Sequence, residues 1–149
     1  WGTDASLELV DHCALVLDIH HEWVREGHYI TPDSDRFKRI MDSWRGVRPV
    51  IHYSYSRNEH LPEGFEHNSL PDMERLLEAG HKKQKLRAHS DDYPNQTAND
   101  WALSFWPYAD IMCESKNKNL ASIALYKYAV GDNNELLNEN VWQQLKESA

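Results

Sequence analysis

Basic residues are scarce: 16 Lys plus Arg stand against 24 Asp plus Glu in 149 residues, a formal charge of −8. Binding nucleic acid over the whole surface needs clustered Lys and Arg to neutralise phosphates, so that mode is excluded and only a local basic face can serve. Cysteine is scarcer still. Cys13 and Cys113 each sit in an apolar stretch, which predicts reduced, inert core thiols in mid-strand, no disulfide framework and an intracellular, cytoplasmic protein. No apolar run approaches the roughly 20 residues of a membrane span. Hydrophobic residues at 40% and aromatics at 11% are too many for a disordered chain. A Gly-x-Ser-x-Gly elbow, a P-loop and a Gly-rich dinucleotide turn are all missing, which disfavours the commonest nucleophilic and nucleotide-cofactor chemistries. Low-complexity linkers are missing too, so residues 1–149 read as one domain. The chain opens on Trp1 with neither Met nor leader, and the expectation is that the N-terminal part of a larger domain is missing.

What is present is a repeated strand-then-helix pattern. Thr3 to His12 is helix-compatible, and Cys13 to Asp18 is a continuous apolar run closing on a carboxylate, the signature of a strand buried on both faces. A helix follows from His20 to a turn at Gly27. Thr31-Pro32-Asp33-Ser34 caps a helix over Asp35 to Trp44, with Phe37, Ile40, Met41 and Trp44 at helical spacing. Arg48 to Ser54 is the second strand, and Tyr55 to Leu70 a polar loop longer than a connection needs. Pro71 to Ala79 and Asn99 to Trp106 are helices, with the one concentrated basic run, Lys82 to Arg87, between them. Ala109 to Glu114 is the third strand. A helix over Lys116 to Val130 sets Leu120, Ile123, Ala124 and Tyr128 on one face, and Asn133 to Glu147 is a terminal amphipathic helix with Trp142 in its packing face.

Three such units imply an α/β fold with a parallel sheet and right-handed crossovers. At roughly 30 residues each, they amount to about three eighths of an eight-stranded barrel of about 250 residues. Every strand ends on a potential metal ligand: Asp18 with His21, His52, and Glu114. In parallel α/β folds sites lie at the carboxyl ends of the strands, so these side chains share one rim. Each has a plainer reading. Asp18 and His21 are ordinary capping residues, with His20 either the surface neighbour or the ligand in place of His21. His52 alone is a satisfied structural histidine, and so is His89 in its Pro-bounded loop. Glu114 directly after Ile-Met-Cys needs solvent, a cation or Lys116. Taken together, a mixed carboxylate and imidazole set suits Mn, Fe or Zn. His12, His28, His60, His67 and His81 read as solvated, and Trp106 and Tyr126 as core. Arg57 and the run containing Lys83, Lys85 and Arg87 are candidates for phosphate contacts, with Tyr53, Tyr55, Tyr93 and Trp101 available to stack on bases.

The ordered set Leu15-Val16-Leu17-Asp18-Ile19-His20-His21, Arg48-Pro49-Val50-Ile51-His52-Tyr53-Ser54, Arg87-Ala88-His89-Ser90-Asp91 and Asp110 to Lys118 resembles the C-terminal part of the UV damage endonuclease family. The resemblance spans roughly residues 5–130 and covers the last three strands of that family's TIM barrel, of the xylose isomerase-like type. It implies a metal-dependent DNA repair nuclease that incises 5′ of UV photoproducts. It further implies Asp18, His21, His52, His89 and Glu114 as ligands of a cluster of divalent ions, Mn first with Zn or Mg as alternatives. Damaged double-stranded DNA is the implied partner, met by Arg57, Lys83, Lys85, Arg87, Tyr55 and Lys116. Some members carry a Lys two residues before the strand His, where this chain has Val50. The family's earlier strands have no counterpart here, so the expectation is a partial active site, completed by a homo-oligomer or a complementary N-terminal half, and little activity in the chain alone. Two other classes stay open: a metal-dependent sugar isomerase or epimerase of the same barrel superfamily, and an inactive fragment that acts by association.

Overall fold

The structure, a computed structural model, describes residues 2–131. The predicted helix over Asn133 to Glu147 lies outside them. Three parallel strands, β1 (Leu17–Asp18), β2 (Val50–Tyr53) and β3 (Asp110–Cys113), form one sheet in the order β1-β2-β3. The helices are α1 (Thr3–Ser6), α2 (Ile19–Glu26), α3 (Asp35–Asp42), α4 (Met73–Glu78), α5 (Lys83–Leu86), α6 (Gln96–Leu103) and α7 (Asn119–Val130), with 3-10 turns at Leu7–Leu9 and Asn58–His60. The architecture is thus α/β with a parallel sheet. None of the described helices is long and apolar enough to cross a membrane.

Side-chain chemistry sets where the helices start and stop. Asp18, Ser34, Asp72 and Asn95 each accept a hydrogen bond from the backbone N–H three residues on, which satisfies a donor that the first helical turn leaves unpaired. α2 ends at Gly27, whose φ of 86° is left-handed and costs a residue without a Cβ nothing.

Strand register then sorts the side chains. Leu17 pairs with Ile51 and Ile51 with Ile111; one residue on, Asp18 pairs with His52 and His52 with Met112. Because side chains alternate, Leu17, Ile51 and Tyr53 share one face, all buried against Phe37, Ile40, Ala102 and Phe105 of α3, α6 and the turn that follows α6. The opposite face carries Val16, Asp18, Val50, His52, Asp110 and Met112; Val16 and Met112 are half exposed. A second apolar cluster, Trp23, Val24, Tyr55, Leu61, Met73, Leu76 and Leu86, lies beneath the long loop after β2.

Several expectations are corrected. The first strand is two residues rather than six. By the register Leu15 falls opposite Pro49, yet no ladder continues there. Leu15 is tied by side chains instead: its N–H donates to Ser43 Oγ (2.9 Å) and its carbonyl accepts from Trp44 Nε1 (2.7 Å). Cys13 is therefore outside any strand and exposed, while Cys113 is half-buried in β3; both are unpaired. Burial on both sheet faces is not found. In α7 it is Ala121 and Leu125 that are buried, whereas Leu120 and Tyr128 are exposed, and Trp106 is partly exposed with its ring edge-on to Tyr126.

Phe37 meets Phe105 edge-to-face at 4.9 Å in the heart of the larger cluster. Phe37→Ala is expected to cost about 3–5 kcal/mol in urea unfolding; a loss below about 1 kcal/mol would show that this cluster does not carry the fold.

Candidate metal centre

The carboxyl ends of all three strands converge. Asp18 closes β1 and has a distinct use for each carboxylate oxygen: Oδ1 accepts the α2 capping bond from the His21 N–H (2.8 Å), and Oδ2 lies 3.3 Å from His21 Nδ1. Capping and site roles coexist in this one side chain. With Nδ1–H given to Asp18, the His21 ring presents its Nε2 lone pair outward. Nε2 lies 3.3 Å from His89 Nε2 and 3.4 Å from the Arg87 carbonyl oxygen.

His89 is placed by backbone pairing that the sequence does not announce. Residues 55–57 continue beyond β2, and Ser56 forms an antiparallel bridge with His89. The Arg57 N–H donates to the Ala88 carbonyl (3.1 Å) and the Ser90 N–H to the Tyr55 carbonyl (2.8 Å). On the far side the Lys116 and Asn117 N–H groups donate to the Ser90 and Asp91 carbonyls, each at 3.0 Å. The loop after β3 thereby clamps the His89 segment between two backbones.

On β2, His52 Nδ1 lies 3.1 Å from Glu114 Oε1 at the end of β3. Glu114 therefore finds its partner in His52 rather than in Lys116. Asp18, His52 and Glu114 form one group of potential ligand atoms within 4.8 Å of one another, and His20, His21 and His89 a second. All five predicted ligands fall in these two adjoining groups.

The donor set fits a divalent cation on geometric grounds. Two ligands about 2.1 Å from one ion, at tetrahedral to octahedral angles, stand roughly 3.0–3.4 Å apart. The His21–His89 nitrogen pair and the His52–Glu114 pair both match that spacing. The same atoms make an N–H···N contact and a carboxylate–imidazole hydrogen bond. Mixed oxygen and imidazole donors suit Mn and Zn better than soft ions.

His20 is the residue that sequence reasoning underrated. It is buried, not a surface neighbour, and both ring nitrogens are engaged: Nδ1 with Ser54 Oγ (2.8 Å) and Nε2 with Ser56 Oγ (3.1 Å). Ser56 gives its own proton to the Leu86 carbonyl (2.7 Å), so its oxygen accepts from His20 Nε2–H, while Ser54 donates to Nδ1. His20 is thereby neutral, in the Nε2–H form, with its ring centroid 5.5 Å from that of His21 and 6.3 Å from that of His89. Burial first, then the neighbouring His21 and His89, hold its pKa down at about 3. The signal for it in the sequence was Ser54 and Ser56, two hydroxyls at strand spacing just past the second strand.

Of the predicted DNA contacts, Lys85, Arg87 and Lys116 are exposed; Arg57 is half exposed beside Glu59 (3.5 Å), and Lys83 half-buried with Nζ on the Arg25 carbonyl (2.6 Å). Tyr55 is withdrawn from that set: it is buried, with its hydroxyl accepting from Asn95 Nδ2 (2.9 Å). Tyr53 is likewise core, and its hydroxyl donates to Asn99. Of the histidines read as solvated, His12 and His28 are exposed, whereas His60, His67 and His81 are half-buried. No protein-family model, curated protein or solved structure matches the chain.

A histidine in the unfolded chain takes up a proton below about pH 6.5, whereas buried His20 stays neutral down to about 3. Between those values the unfolded state binds the extra proton, so stability falls as pH falls, by up to about 1.4 kcal/mol per pH unit from this one group. Urea unfolding in EDTA from pH 7 to 4.5 should show that slope, and His20→Gln should be less stable at pH 7 but flatter with pH. Parallel pH profiles for the two proteins would remove His20 as the source.

Proposed function

We propose that this chain carries part of the active site of a metal-dependent DNA repair endonuclease, of the kind that incises 5′ of UV photoproducts, on a partial TIM-type barrel. The observation that supports it most is the convergence of Asp18, His21, His52, His89 and Glu114 at the carboxyl ends of parallel strands, beside the basic segment containing Lys83, Lys85 and Arg87.

Asp18, His21, His52, His89 and Glu114 would hold a divalent ion there, which would supply Lewis acidity toward a phosphoryl oxygen and toward a water. The chain's residues do the rest. Asp18 Oδ2 holds the Nδ1 proton of His21, which fixes that ring and leaves its Nε2 as the donor, while His52 Nδ1 and Glu114 Oε1 are spaced to share one ion. Arg87, Lys85 and Lys116 neutralise backbone phosphates without reading sequence. Two exposed faces, the bare side of the sheet and the β1 edge, are where further barrel elements would sit. With only five ligands for a multi-ion cluster, the chain alone is a weak nuclease at best.

The test is binding of Mn-loaded protein to UV-irradiated and unirradiated duplex across a salt series, with plasmid nicking in parallel. Salt-dependent binding to both duplexes is expected. The logarithmic salt slope should be no steeper than about −4.5, for at most five phosphate contacts. Nicking should be weak and EDTA-sensitive. No duplex binding at low salt would overturn the proposal, and vigorous incision lost on His52→Ala would overturn the partial-site part of it.

A further inference from the structure

β1 and β2 part after Asp18 and His52: one chain turns into α2, and the other runs on through residues 54–57. The two facing imidazoles come from the two sides of that gap, His21 from α2 and His89 from the segment bridged to Ser56. Their Nε2 atoms nevertheless stand 3.3 Å apart. Two hydrogen bonds of His20 cross the gap. Its Nδ1 accepts from the Ser54 hydroxyl, its Nε2–H donates to Ser56 Oγ, and Ser56 donates in turn to the Leu86 carbonyl. Ser54 and Ser56 are two residues apart in extended chain, so both hydroxyls lie on one side of it and a single ring meets both. A neutral imidazole, with one acceptor and one donor at fixed separation, suits that pair. Trp23 stacks on the ring with centroids 5.8 Å apart, and His20, Ser54 and Ser56 are all buried, so water does not compete for these bonds.

We propose that His20 is a positioning residue of the candidate centre: bonded to Ser54 and Ser56, it locks α2 to the extension of β2 that carries the His89 segment, and so sets the His21–His89 separation. The inference rests on the reading of His21 and His89 as ligands of one ion. His20 is not itself a ligand, because Ser54 uses its Nδ1 lone pair and its Nε2 carries the proton given to Ser56. Both ends of the link adjoin a ligand: His20 precedes His21 in the first turn of α2, and Ser56 is the bridge partner of His89. An apolar side chain of like size would fill the space, but dispersion has little direction, whereas hydrogen bonds at both ends of a ring fix its place. Ligand sets need that, being productive only when held to within about 0.5 Å. His52 and Glu114 are aligned differently, by the β2–β3 ladder, in which His20 has no part. Loss of the His20 link therefore loosens one ligand pair and spares the other.

The test is histidine-ring NMR of the full chain, first in EDTA and then against chelator-buffered zinc, which is diamagnetic and lets each ring report its own ion. In EDTA the wild-type protein should show a contact between ring protons of His21 and His89, lost in His20→Leu and in Ser56→Ala. In zinc, both variants should raise the free metal needed to shift His21 and His89 at least tenfold, while moving the His52 midpoint less than threefold. His20→Gln, which keeps a donor and an acceptor, should return the His21 and His89 midpoints to within threefold of wild type. Phe37→Leu, which weakens the core away from this network, should leave all three midpoints within threefold, a result that separates positioning from general loss of stability. If His20→Leu does not fold, Ser54→Ala and Ser56→Ala, each lacking one hydroxyl, carry the test. Wild-type midpoints in the variants that break the link, or a His52 midpoint displaced as far as those of His21 and His89, would overturn the inference. Rings of His21 and His89 that do not respond to zinc in the wild-type protein would overturn the ligand reading instead, and the contact in EDTA would still decide whether His20 sets their separation.

Discussion

The pairing of β1 with β2 in one particular register is the constraint on which the rest depends. It sets Asp18 beside His52 and turns both to the uncovered face of the sheet, while Leu17, Ile51 and Tyr53 go into the core. A slip of one residue would exchange those faces, burying a carboxylate and an imidazole among apolar side chains and exposing three core residues. The hydrophobic packing against α3 and α6 that stabilises the fold is therefore the same force that fixes the candidate ligands. The β2–β3 register extends this to Glu114, whose N–H donates to the Tyr53 carbonyl (2.8 Å) as it leaves the sheet.

Beyond the strands, the site is held by polar groups in dry surroundings. His20 sits between Ser54 and Ser56, and Ser56 both reaches the Leu86 carbonyl and bridges to His89. One neutral imidazole thus links helix α2, the extension of β2 and the basic segment that carries Arg87. Such a network is worth its desolvation only when every member is satisfied, and here both ring nitrogens are.

Much of this was legible in the residues themselves. Strand-end carboxylates, Ser34 and Gly27 as helix punctuation, and the apolar triplets of the second and third strands all act locally, and local chemistry is what a sequence displays. What was not legible depends on partners far along the chain. Cys13 to Val16 has the composition of a strand, yet the Leu15 N–H and carbonyl that a longer ladder would use are taken by Ser43 Oγ and Trp44 Nε1, far along the chain. Tyr55 opens a polar-looking loop but is core, because that loop roofs the cluster of Trp23, Leu76 and Leu86. His20 and His21 are indistinguishable in the chain; only the two serines beyond β2 decide which is buried and which faces His89.

The central claim is that the carboxyl end of this sheet holds a divalent cation, and metal content per chain by elemental analysis after equilibration with Mn tests it most directly. The wild-type protein should retain at least one ion per chain. Glu114→Ala with His52→Ala should lose it, and Asp18→Asn, which keeps the helix cap while removing the charge, should weaken it tenfold or more. No retained metal in a folded wild-type protein, or equal retention in all three, would contradict the account.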